Sequence, residues 1–130
     1  VAAYRVKPDI ALVLESTTCA DVHAVKAESE VTNLGSGVAI SIMDRSTIVN
    51  RDYVSFLQKI SDGIKVQYKK TTAGGNDAGI IHQTGTGVLT ASLSVPCRYL
   101  HSPVGIASKD DILAAETLAK RLLERIDEVI

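Results

Sequence analysis

Three short apolar runs dominate the chain: residues 10–14 (IALVL), residues 38–43 (VAISIM) and residues 88–95 (VLTASLSV). None is as long as a typical core helix, and the first is apolar without a break. They read as strands, residues 10–14 as a fully buried one, which suits a layered arrangement of sheet and helices. The core has to be aliphatic, because aromatics make up only 4% of the residues and there is no Trp.

Between and around these runs the helical signals are clear. Asn50 is a plausible N-cap for a helix to about Ser61, with Tyr53, Val54, Leu57 and Ile60 on one face. Gly63 would end it. Residues 64–69 alternate, with Ile64, Val66 and Tyr68 predicted on the covered side of a half-buried strand. A glycine-rich loop, Gly74-Gly75-Asn76-Asp77-Ala78-Gly79, leads into a short helix through His82, and Pro96 is expected to close the strand that follows. Ser108 and Asp111 resemble a capping box for a last helix. Its apolar stripe is Ile112, Ala115, Ala119, Leu122, Ile126 and Val129, and Glu116, Lys120 and Glu124 stand opposite. Residues 18–37 are expected to form a loop. The order gives an α/β fold with a mixed or mostly parallel sheet flanked by helices.

Bulk properties narrow the function. The 130 residues carry a net charge of −1 with Lys and Arg dispersed, so no electrostatic footprint for nucleic acid exists. No apolar run approaches membrane-spanning length, and no signal-peptide pattern is present. Cys19 and Cys97 lack CxxC spacing and read as reduced, partly buried thiols, which suits a cytoplasmic protein. The opening Val1-Ala2-Ala3-Tyr4-Arg5 reads as the tail of a helix stopped before Pro8, as in a chain cut from something longer.

Few residues could carry chemistry. Glu15 follows a buried strand, where ligands of open α/β sheets gather; it could equally be solvated or salt-bridged. Asp21 in the next loop suits a turn or cap. His101 follows another strand, and imidazole is a common metal ligand, although a lone His is also an ordinary hydrogen-bonding residue. Two such ligands are too few for a stable zinc site, which needs about three from the protein. The glycine loop has neither a Walker ending nor GxGxxG spacing, and no GxSxG elbow occurs. His82 could point toward a site or into the core.

Four stretches in order carry a resemblance. They are Leu14-Glu15-Ser16-Thr17-Thr18-Cys19-Ala20-Asp21; Gly35-Ser36-Gly37 followed by Met43-Asp44-Arg45-Ser46; the glycine loop with His82; and Ser94-Val95-Pro96-Cys97-Arg98-Tyr99-Leu100-His101-Ser102. Together they resemble the C-terminal part of the catalytic domain of M42 metallo-aminopeptidases (glutamyl and tetrahedral aminopeptidases), over essentially all of residues 1–130. The resemblance implies a zinc-peptidase-like (phosphorylase/hydrolase-like) domain and peptide hydrolysis with two divalent metal ions, zinc or cobalt. It implies that Glu15 and His101 bind one metal. Gly74, Gly75, Asp77 and Arg98 would shape the substrate side. The family's other His, its bridging Asp and its Glu general base would lie upstream, as would an inserted dimerisation domain. No catalytic residue is therefore expected in this chain. By itself it should be inactive, needing the N-terminal half of the catalytic domain as partner, with peptide as substrate and a homo-oligomer as the parent assembly.

Two other readings compete. The chain could be a stand-alone structural or interaction module without catalysis. Related proteins are also labelled glucanases, which would require a carboxylate pair such as Asp44 and Asp77 flanking a sugar cleft.

Overall fold

A computed structural model describes residues 1–23 and 31–129. Part of the predicted loop, residues 24–30, lies outside the described residues. The elements are α1 (Ala2–Val6), β1 (Ile10–Thr18), β2 (Val38–Met43), α2 (Arg51–Ile60), β3 (Val66–Lys70), α3 (Ala78–Ile81), β4 (Leu89–Arg98), β5 (Ile106–Ala107) and α4 (Lys109–Glu124), with a last 3-10 turn over Ile126–Glu128. The sheet order is β1-β4-β2-β3, with β5 against the end of β4. β1 runs parallel to β4 and β2 parallel to β3, whereas β2 and β4 are antiparallel. The sheet is mixed, as expected.

The pleat gives the sheet two unlike faces. Val38 and Ile40 of β2, Ala91 and Leu93 of β4, and Ile10 and Leu12 of β1 join Tyr53, Leu57, Leu118 and Leu122 in the aliphatic core. Successive side chains alternate across a strand, so the intervening positions fall on the other face. Those are Ala39 and Ser41, Ser92 and Ser94, Val13 and Glu15, and Gln67 and Lys69. This second face is built of small and polar side chains.

Several expectations need correction. β1 is not covered on both sides. It pairs only with β4 among the described residues, and Leu14 is 60% exposed. Nor does β1 end at Glu15: it runs on to Thr18. β4 continues to Arg98, so the ladder pairs Glu15 with Ser94 and Thr18 with Cys97. Pro96 is absorbed within β4 because even-numbered residues there face β2 and β5. Pairing with β2 ends at Ser94 and pairing with β5 starts at Cys97, so no ladder needs the missing N–H.

α2 follows its signals. The Asn50 side chain accepts from Asp52 N at 2.8 Å and Tyr53 N at 3.1 Å. α4 keeps most of the expected stripe, with Ala115, Ala119 and Leu122 buried and Ile126 and Val129 packed against the core, but Asp111 and Leu118 are buried as well and Ile112 is exposed. The capping box is absent, since Ser108 makes no side-chain cap bond. The Asp111 carboxylate instead accepts from Gly35 N at 2.7 Å and Gly37 N at 2.8 Å. On β3 the buried residue is Lys69, whereas Tyr68, level with Ile40 on the core side, is partly exposed. No described helix is long and apolar enough to cross a membrane.

Candidate functional site

Glu15 is the centre of a polar cluster on the small-residue face. Register alone brings Ser94 beside it, and the Ser94 hydroxyl donates to Glu15 Oε1 at 3.0 Å. Asn76 Nδ2 donates to the same oxygen at 2.9 Å and to Ser92 Oγ at 3.2 Å. Lys69 Nζ approaches Oε1 at 3.4 Å. The side chains between β3 and β1 on this face are Ser41, Ala39, Ser92 and Ser94, and their small size lets the long Lys69 side chain reach across. The side chains of Lys69 and Glu15 are 10% and 22% exposed, so the pair is shielded from water but not sealed.

A cleft of about 640 Å³ opens beside this cluster. Glu15, Thr17, Thr18, Lys69, Thr71, Gly74, Gly75, Leu100 and His101 line it. His101 reaches it through a tight turn in which Tyr99 and His101 both have positive φ, 60° and 66°. Ser102 N donates to Tyr99 O at 3.1 Å and closes the turn. Left-handed backbone costs non-glycine residues about 1–3 kcal/mol each, so this strained turn is held by its surroundings. Glu15 and His101, remote in sequence, therefore share one cleft.

The glycine loop forms a wall. Arg45 N donates to Gly74 O at 2.9 Å. A Cβ on Gly75 would lie 2.6 Å from Ser46 Oγ, and one on Gly79 would also strike Ser46. These two glycines are small because Ser46 packs beneath them. Asp44 is buried, with Oδ1 accepting from Ser46 N, Ser46 Oγ and Thr47 N at 2.8–2.9 Å. It is committed to its own turn. Asp77 precedes α3 without a side-chain cap bond and does not line the cleft. His82 bonds back to Ala78 O at 2.9 Å through Nδ1.

Arg98, expected on the substrate side, is not among the lining residues. Its Nε donates to Asp21 Oδ1 at 2.8 Å, and its NH2 group donates to Asp21 Oδ2 at 3.2 Å. Asp21 also accepts from Leu34 N at 2.8 Å. Rather than a simple turn residue, Asp21 joins the segment after β1 to the end of β4. The Arg98 hydrogen bond, ahead of the Leu34 N–H, holds the Asp21 carboxyl down at about 2. An unfolded Asp titrates near ~3.9. Because the folded value is the lower one, the stabilisation is complete above about pH 4 and is lost as pH falls toward about 2. Urea unfolding midpoints should drop across that window and should drop less in Asp21→Asn; equal slopes would remove the pair from the acid response. Burial, followed by Asp21, pushes the neighbouring Cys19 thiol up to about 11, so it stays a protonated thiol, and both cysteines are free.

Sequence reasoning did not single out Lys69, Asn76, Ser92 or Ser94. The parity of Glu15 and Ser94 was available, but only the β1–β4 register makes it informative. Among the described residues, no group of three or more His, Cys, Asp or Glu side chains is placed to hold a metal ion. Glu15 and His101 supply a hard carboxylate oxygen and an imidazole nitrogen. Such a donor pair is of the type that zinc or cobalt accepts.

A family model described as M42 glutamyl aminopeptidase matches residues 1–118. A provisional aminopeptidase of Acetivibrio thermocellus is 36% identical over 127 residues, spanning 96% of this chain and 37% of its own length. The structure of an aminopeptidase from the archaeon Desulfurococcus kamchatkensis superposes with a TM-score of 0.92 at 34% identity, over 96% of this chain and 36% of that one. The TET1 peptidase of Pyrococcus horikoshii, which can assemble into a tetrahedron or a large octahedral shell, matches at 30% identity with a TM-score of 0.72, over 92% of this chain and 36% of its own. The chain thus spans little more than a third of the length of these relatives.

Proposed function

The chain belongs to the M42 glutamyl aminopeptidase family, and from that premise we propose that it forms one side of the catalytic centre of a dinuclear-metal aminopeptidase. The observation that carries this reading is the meeting of Glu15 and His101 at one cleft. In the proposal they hold one of two divalent ions, zinc or cobalt. The second His, the bridging Asp and the Glu general base come from an upstream segment of the catalytic domain. A divalent metal held there supplies Lewis-acid activation of the attacking water and of the scissile carbonyl. The chain's own residues orient and enclose. Glu15 is aimed by its hydrogen-bond partners, and Gly74 and Gly75 present backbone to the substrate with Leu100 opposite. Arg98 acts behind the cleft wall, by holding the β4 end that leads into the His101 turn to Asp21. The parent protein is proposed to cleave N-terminal residues from peptides and, like its TET1 relative, to assemble as a homo-oligomer.

With only two of the proposed ligands here and the general base proposed to come from upstream, the chain alone is expected not to turn over aminoacyl-anilides in added zinc or cobalt. Robust turnover abolished by His101→Ala would overturn the division of the site. In a protein that joins this chain to the upstream segment, Glu15→Ala and His101→Ala should each lower occupancy of one metal; full occupancy in both would remove them from the ligand set.

One observation favours a second reading, a non-catalytic interaction module. An apolar groove of about 330 Å³ between β1, β4 and α4 is flanked by Leu14, Ile112 and Leu123, all exposed. Full activity of the joined protein combined with loss of that activity in Glu15→Ala would rule against it.

A further inference from the structure

The hydrogen bonds around Glu15 are one-sided. Asn76 Nδ2, Ser94 Oγ and Lys69 Nζ all meet Oε1. Among the described residues nothing donates to Oε2. We propose that Asn76 and Ser94 are positioning residues that saturate one oxygen of Glu15, so that it offers a metal a single oxygen, Oε2. This inference rests on the reading of Glu15 as a metal ligand.

The orientation of Asn76 is dictated by chemistry. Its Oδ1 accepts from Ala78 N at 2.8 Å, at the start of α3. Only an oxygen can serve that N–H, so the donor end of the amide must face Glu15 and Ser92. Ser94 is fixed just as firmly, because its backbone lies between β1 and β2 and pairs with both Glu15 and Ala39. Glu15 is thus restrained by a rigid strand on one side and by a loop tied to a helix start on the other. A carboxylate with one oxygen already engaged by two neutral donors and an ammonium group is poorly disposed to bidentate binding. Its remaining oxygen is aimed, and holding a ligand in place in this way is what outer hydrogen bonds do at metal sites.

The test is titration of Co2+ into a protein that joins this chain to the upstream segment of the catalytic domain, together with the infrared carboxylate stretches of that protein labelled with 13C-Glu. The metal-bound wild type should show the wide splitting of a monodentate carboxylate. Asn76→Ser retains a short oxygen able to accept from Ala78 N but does not reach Glu15, and Ser94→Ala removes the other neutral donor. Each should weaken Co2+ binding by about tenfold or more and narrow the splitting, and Ser94→Thr should restore both. Wild-type affinity and splitting in Asn76→Ser and Ser94→Ala would overturn the proposal while leaving Glu15 a ligand. If the wild type does not bind Co2+, or if Glu15→Gln binds as well as wild type, the ligand reading fails and the inference falls with it.

Discussion

Gly37→Ala is expected to be among the most damaging single-methyl changes this chain can suffer, lowering stability by about 4 kcal/mol or more. Two causes add. Gly37 has φ +94°, where an L side chain is strained; left-handed backbone costs a non-glycine residue roughly 1–2 kcal/mol. A Cβ there would also be driven into the backbone carbonyl of Lys65. That carbonyl accepts from Val38 N at 3.2 Å, at the point where β2 joins β3. The clash therefore opens the ladder at its first bond, and no flexible side chain can swing away to relieve it. Gly35→Ala is the control: φ is +76°, but its Cβ would meet nothing within 4 Å. It should cost only the backbone strain, about 1 kcal/mol. Thermal denaturation followed by circular dichroism separates them, with melting lowered by more than about 10 °C for Gly37→Ala and only a few degrees for Gly35→Ala. Similar shifts in both would show that the carbonyl clash is not felt.

Asp111→Ala should cost about 3 kcal/mol, and the reason lies in the same segment. Asp111 is 1% exposed and accepts two backbone N–H groups, Gly35 N on Oδ2 and Gly37 N on Oδ1. Bonds to a charged acceptor are worth more than neutral ones, and stranding a buried donor costs about 1–3 kcal/mol. Asp111→Asn keeps the shape but faces one N–H with its own NH2, so it should recover only part of the loss. Because Asp111 and Gly37 share a hydrogen bond, the double variant should lose less than the sum of the two. Chemical denaturation of the three proteins checks this; strict additivity, or an Asp111→Ala loss below about 1 kcal/mol, would mean that water replaces the carboxylate. The anchor has a functional side. It holds the entry to β2, and β2 carries Ala39 and Ser41, the small residues over which Lys69 reaches Glu15.

Asp111 also shows where local pattern is misleading. Its place three residues after Ser108 fits a capping box, a reading that uses only neighbours in sequence. The partners it has lie in a loop far upstream, and no local rule can name them. Arg98 is similar. Its motif placed it near a site, whereas geometry pairs it with Asp21. Five successive apolar residues at 10–14 suit a fully buried strand, yet β1 stands at the outer edge of the described sheet with Leu14 60% exposed.

The sequence by itself determined most of the elements, though not β5, and the two ligand-type side chains. Strand runs, the Asn50 cap and the spacing of α2 are written within a few residues of one another, and a carboxylate or an imidazole is recognisable as a donor wherever it falls. Only the tertiary structure decided which face of the sheet is polar, which strands are neighbours and in what register. Glu15 meets Ser94 because β1 and β4 run parallel with those residues level, and it meets Asn76 because Arg45 and Ser46 hold the glycine loop over that face. These are contacts between segments whose separation along the chain carries no periodic signal. They arise from the burial of one aliphatic face, which sets the register and leaves the small, polar face to gather Glu15, Lys69, Ser92 and Ser94.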